Sequence, residues 1–186
     1  RDEVVSKGDA RRALGLDPNA TIVLSVARLA PEKGLDLLAV AANDIPARVF
    51  IVGDGPERQN LSANTTLQLV GHVSDPWLWY CAADVVAVPS RTEGLGLSAI
   101  EALSAGCPVV ATDVGGLTEV ITDDYLGTCV PAGDATALAS TINHQLTIGR
   151  GDATAEEKRR AYVAGKFSVG GMLIQTNALY GRVLGR

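Results

Sequence analysis

Short, continuously apolar runs alternate with helix-like segments along this chain, and that alternation leaves few folds open. Residues 21–27 (TIVLSVA), 47–52 (ARVFIV), 67–73, 84–89, 108–112 and 128–130 read as six strands. Runs that are apolar throughout, without polar alternation, belong to strands covered on both faces, as in a parallel sheet flanked by helices. Between them, residues 35–42 read as a helix apolar nearly all round, and 77–82 as a short aromatic helix opened by Asp75-Pro76 as N-cap and N1. Pro56, after the turn Gly53-Asp54-Gly55, suits the first position of another helix. The tail reads as three helices: residues 135–146 capped by Asp134, a second introduced by a capping box at Thr154-Ala-Glu-Glu157, and a third from Ser168 to Leu184. The third carries Met172, Leu173, Ala178, Leu179 and Val183. The fold class expected is α/β, a doubly wound parallel sheet of about six strands with a helical C-terminal tail. Residues 149–155 read as a loop within that tail, so residues 1–186 form one domain. A chain of 186 residues that is 47% hydrophobic and 20% charged suits a single compact core.

The remaining gross features exclude several classes. A net charge of −5 argues against a general nucleic-acid surface. The three cysteines, Cys81, Cys107 and Cys129, are widely spaced in apolar settings without a CxxC, as reduced core residues of a cytoplasmic protein would be. No apolar run approaches the roughly 18 residues of a membrane helix, and the N-terminus has no signal-peptide pattern. The start at Arg1 rather than Met suggests either a fragment or a processed chain.

Chemistry concentrates in residues 90–116. A strand runs into a polar turn carrying Glu93, then a Gly94-Leu95-Gly96 bend, then an Ala- and Leu-rich helix with a second acid, Glu101, one turn inside. A glycine bend at a helix start lets backbone N–H groups approach a ligand, and with the helix dipole they favour an anion. Carboxylates flanking such a site accept hydrogen bonds from hydroxyls instead. A phosphate between two polyols describes a sugar nucleotide. Arg28 and Lys33 bracket a proline-stiffened loop after the first strand, at the edge where doubly wound sheets bind ligands. They can hold phosphate oxygens, or else pair within the loop with Glu32. Gly53-Asp-Gly55 lacks the dinucleotide fingerprint spacing and suits a tight turn. Gly115-Gly116 is either a turn or a source of further backbone donors. His144 reads as a surface residue, His72 as a strand-end residue or a neighbour of the base, and Asp123-Asp124 as a solvated turn.

Taken together, five segments carry a resemblance. They are Val26-Ala-Arg-Leu-x-Pro-Glu-Lys-Gly, Ile51-Val-Gly-Asp-Gly-Pro, Pro89-Ser-x-x-Glu-Gly-Leu-Gly-Leu, Glu101-Ala-Leu-x-Ala-Gly-x-Pro-Val-Val-Ala and Gly115-Gly-x-x-Glu119. In this order they resemble the C-terminal, Rossmann-like half of a GT-B glycosyltransferase, more narrowly the retaining group 1 (family 4) enzymes with an E-x7-E motif. The resemblance implies that Arg28 and Lys33 hold the donor diphosphate, that Glu93 touches the transferred sugar, and that Glu101 takes the ribose hydroxyls. It further implies that backbone amides of Gly94, Leu95, Gly96 and Leu97 meet sugar and phosphate, and that His72 and Val73 line the nucleobase. Position 95 is Leu where the family usually has Phe. No cofactor or essential metal is implied, the substrate being a nucleoside-diphosphate sugar and the acceptor an unspecified hydroxyl. Such enzymes have a second, N-terminal acceptor domain, which a chain of this length does not accommodate. Two rival readings remain: a non-catalytic nucleotide-sugar binding module, and a GT-B-like epimerase of UDP-sugars, against which the paired acids argue.

Overall fold

The computed structural model describes residues 4–185; Arg1, where the sequence starts without a methionine, lies outside them. Six parallel strands form one sheet: β1 (Ile22–Val26), β2 (Arg48–Val52), β3 (Leu67–Gly71), β4 (Val85–Val88), β5 (Val109–Thr112) and β6 (Gly127–Val130). Their order across the sheet is β3-β2-β1-β4-β5-β6. Each strand expected from sequence is present; the first five are one or two residues shorter at one or both ends, and β6 starts one residue earlier, at Gly127.

Helices cover both faces, which is why the strands carry no polar alternation. Consecutive residues of β1 enter different cores: Ile22 and Leu24 pack on one side, Val23 on the other. Val86 and Val88 of β4 are likewise divided from Val85 and Ala87. One face holds α1 (Lys7–Ala13), α4 (Trp77–Ala82), α5 (Leu97–Ser104), α6 (Leu117–Val120) and α8 (Ala153–Lys166); the other holds α2 (Leu35–Ala41), α3 (Arg58–Ser62) and α7 (Ala135–Ile148). Cys81 and Cys107 are buried and Cys129 half-buried, all as free thiols. Burial pushes the Cys107 thiol up to about 11, so it stays protonated.

Several local expectations are corrected. Pro56 lies ahead of α3, whose N-cap is Glu57. The cap of α8 is Asp152, whose carboxylate accepts from Ala155 N–H, so the helix starts before the expected box at Thr154. Val40 of α2 is exposed, leaving that helix with one solvent-facing side. Asp134 and Ser168 do cap α7 and α9 (Val169–Val183), accepting from Ala137 and Gly171 N–H. The apolar residues Met172, Leu173, Leu179 and Val183 of α9 stand exposed. Among the described residues no helix is long and apolar enough to cross a membrane.

Candidate functional site

β1 and β4 are adjacent but lead to opposite halves of the sheet, so their carboxyl ends open a crevice. An open cleft of about 420 Å³ fills it. From β1 and its loop come Ser25, Val26, Ala27, Arg28 and Lys33; from β4 and the start of α5 come Ser90, Glu93, Leu95, Gly96, Leu97 and Glu101. Two cations and two acids separated by up to 73 positions thus share one cavity. A second cleft, about 380 Å³, shares Val26, Ala27 and Arg28 with the first and adds Gly53, Asp54, His72 and Val73. His72 is exposed there, and His144 is exposed on α7. Gly94 lines neither cleft; its carbonyl accepts from Gly116 N–H at 2.8 Å.

The loop carrying Glu93 is braced from three sides. Arg91 N–H donates to Glu32 O at 2.8 Å, and its guanidinium grips both oxygens of Asp36, at 2.8 and 2.6 Å, and Pro31 O at 2.7 Å. That hydrogen-bonded guanidinium holds the Asp36 carboxyl below the usual aspartate range. From β5, Thr112 Oγ1 donates to Ser90 O. From the next loop, Gly115 lies against the backbone: a Cβ on it would come within 1.8 Å of Glu93 O. On the other side, a Cβ on Gly34 (φ +60°) would fall 2.0 Å from Pro89 O. Gly115-Gly116 therefore serves as a close-packed brace, and the Gly116 amide is spent on Gly94 rather than directed at a ligand.

Within the cleft, Glu93 Oε2 accepts from Lys33 Nζ at 2.8 Å and from Ser90 Oγ at 3.0 Å. The pairing of Lys33 with Glu32 weighed from sequence is replaced by this one. Glu101 Oε2 accepts from Tyr80 Oη at 2.8 Å. Burial, and then the Glu101 charge, push the Tyr80 hydroxyl far above the usual phenol range. The N-terminus of α5 has Gly96 as its cap residue, at φ +76° and ψ +51°, and no side chain caps it. Its first amides and dipole face the cleft end of the helix, where an anion is favoured. Sequence reasoning missed Ser90, Tyr80 and Arg91. Ser90 carried a readable signal, three positions before Glu93, whereas Tyr80 and Arg91 act through tertiary contacts. Among the described residues no group of three or more His, Cys, Asp or Glu is placed to hold a metal ion.

The sequence and the fold have known counterparts. The family model for "Glycosyl transferases group 1" matches residues 6–163. The chain belongs to that family. It is 38% identical over 192 aligned residues to the D-inositol 3-phosphate glycosyltransferase of Mycobacterium sp. (strain KMS), covering 94% of this chain and 43% of that protein. The chain thus spans less than half the length of this relative. Among solved structures, sucrose-phosphate synthase from Thermosynechococcus elongatus superposes with a TM-score of 0.81 at 32% identity, over 95% of this chain and 49% of that one. The Anabaena protein Alr3699/HepE, solved in complex with UDP, gives 0.79 at 26% identity over 94% of this chain and 52% of that one. The same protein was also solved with UDP-glucose. Group 1 membership and the GT-B neighbours agree with the resemblance read from sequence and with its Rossmann-like fold class.

Proposed function

We propose that this chain is the donor-binding domain of a retaining glycosyltransferase, which moves a sugar from a nucleoside-diphosphate sugar to an acceptor hydroxyl. The observation that carries the reading is the cleft at the β1/β4 switch point, where Arg28, Lys33, Glu93 and Glu101 converge beside the uncapped start of α5. Arg28, Lys33 and the α5 amides neutralise the diphosphate, including the charge that develops on it as the glycosidic bond breaks. Glu93 accepts from hydroxyls of the transferred sugar, and Glu101 from those of the ribose. The adjoining cleft at His72 and Val73 takes the base. Both charge-neutralising side chains belong to the protein, so the reading requires no metal.

Support comes from the Anabaena neighbour solved with UDP and UDP-glucose, and from relatives named as glycosyltransferases. The acceptor wall belongs, in this reading, to a second domain of the whole protein, in keeping with the 43% share of the relative that this chain spans. Calorimetric titration with UDP, GDP, ADP and their glucose or mannose conjugates tests donor binding. At least one nucleoside diphosphate should bind more tightly than its nucleoside by about tenfold or more, from one charge-assisted contact. Equal affinities, or none, would remove the reading. Retention is tested on the whole protein, by the anomeric configuration of its product in NMR.

A further inference from the structure

Tyr80 is buried in the core, with 1% of its surface exposed, yet its hydroxyl reaches the cleft wall and ends 2.8 Å from Glu101 Oε2. The ring is fixed by packing on α4, two positions before the end of that helix. The carboxylate it meets is on a different helix, α5, and belongs to a residue otherwise exposed to solvent. An exposed glutamate samples many rotamers, and ordering one side chain of that kind on binding is costly. Here one carboxylate oxygen is already tied to a rigid donor. Among the described residues no hydrogen bond ends on the other oxygen, Oε1.

We propose that Tyr80 is a positioning residue for donor recognition: its hydroxyl pre-sets the Glu101 carboxylate so that Oε1 is presented to a ribose hydroxyl. The inference rests on the reading of Glu101 as the ribose contact. Tyr80 donates and cannot be displaced as a donor by deprotonation, because burial and the neighbouring carboxylate keep the phenol neutral. A further cavity of about 240 Å³ shares this pair with the cleft and is lined also by Ser104, Trp77 and Pro76 among others. Without the Tyr80 hydroxyl, Glu101 could swing toward that space and away from the donor.

The decisive variant is Tyr80→Phe, which keeps the ring and removes only the hydroxyl. Calorimetry on the wild type, Tyr80→Phe, Glu101→Gln and the double variant would use UDP, GDP and ADP with their 2′- and 3′-deoxy counterparts. The readout is the ribo-to-deoxy affinity ratio, taken within each protein sample so that any loss of folded protein cancels. The ratio should fall by about three- to tenfold in Tyr80→Phe, the scale of one side chain's ordering entropy. The double variant should fall no further than Glu101→Gln. A wild-type ratio near one overturns the ribose reading of Glu101 and this inference with it. A ratio that drops in Glu101→Gln but is unchanged in Tyr80→Phe overturns the inference alone.

Discussion

Lys33 and Glu93, 60 positions apart, form an ion pair of 2.8 Å across the mouth of the cleft. It joins the loop after β1 to the loop after β4, the two loops that frame the switch point of the sheet. Both side chains are largely withdrawn from solvent, at 25% and 13% exposure. Glu93 Oε2 also holds the Ser90 hydroxyl, so its orientation does not depend on Lys33 alone. In this arrangement the Lys33 charge is satisfied by Glu93, so under the proposed function a donor diphosphate would have to compete with Glu93 for it.

Lys33→Ala and Arg28→Ala should therefore weaken binding of nucleoside diphosphates by about 10- to 100-fold while sparing nucleosides, the scale of one charge-assisted contact. The loss should be larger for Arg28→Ala: among the described residues Arg28 has no ion-pair partner to give up on binding phosphate, whereas Lys33 must leave Glu93. Calorimetry with each diphosphate and its nucleoside checks this. Equal losses for both ligands would mean that these residues hold the loops rather than the phosphates.

Glu93→Gln should separate a nucleotide sugar from the bare nucleotide. The change removes the pairing charge for Lys33, freeing that cation for phosphate, and weakens the acceptor facing the sugar. Affinity for the nucleotide sugar should drop relative to the nucleoside diphosphate by about tenfold, as for one hydrogen bond to a charged group. Competition titration of the two ligands measures that ratio directly, and a ratio equal to that of the wild type would contradict the role.

The braces of the Glu93 loop give a stability contrast. Gly115→Ala puts a Cβ 1.8 Å from Glu93 O, a backbone atom that can yield only by moving the loop. Gly133→Ala has a comparable left-handed conformation, φ +85°, with no atom within 4 Å of the added carbon. Gly133→Ala should cost about 1 kcal/mol, the strain of the conformation alone. Gly115→Ala should cost about 2 kcal/mol more, by analogy with overpacking, and weaken donor binding as well. Denaturant unfolding of the two variants makes the comparison, and equal costs would mean that the loop is not close-packed in solution.

How much of this was legible without coordinates depended on where each residue's partners lie. The strands announced themselves because both of their faces are buried, and Asp134 and Ser168 because a cap bonds within three residues. The charged quartet was readable from the loops that hold it. Helix α1 was not, since it docks through charge: Arg11 is buried, donating to Ala82 O, Pro18 O and Asp84, with no apolar stripe to read. The choice of Asp152 over Thr154 as a cap turns on one amide, with two qualified side chains nearby. Tyr80 looked like any core aromatic, because its use rests on Glu101, 21 positions on and on another helix.

The Arg91–Asp36 pair predicts a pH signature. The folded-state pKa of Asp36 is depressed, first by its hydrogen bonds to Arg91. Its contribution is therefore fully present above the ordinary aspartate range and is lost as pH falls through the depressed value. Asp36→Asn should lower stability at neutral pH, by no more than about 1 kcal/mol for so exposed a pair, and the difference from the wild type should vanish in acid. Urea unfolding at pH 7 and at successively lower pH below the ordinary aspartate range follows the loss. A difference that grew on acidification would have the wrong sign for this linkage.

The last prediction separates binding from turnover. Transfer needs an acceptor hydroxyl held in near-attack geometry against the anomeric carbon, and positioning of that kind supplies much of an enzyme's rate. Every charged group assigned to the donor comes from one edge of this single sheet, at the ends of β1 and β4 and the start of α5, around a cleft open to solvent. A facing wall must bring the acceptor, and its closure must exclude water that would otherwise hydrolyse the donor. Residues 1–186 alone should therefore bind donor and release no glycosylated product, whatever alcohol is offered. The whole protein should transfer, and should hold donor more tightly by the contacts the second wall adds. Radiolabelled sugar transfer, measured side by side on both proteins with matched donor occupancy, decides it. Turnover by residues 1–186 at the rate of the whole protein would overturn the division of labour between two walls.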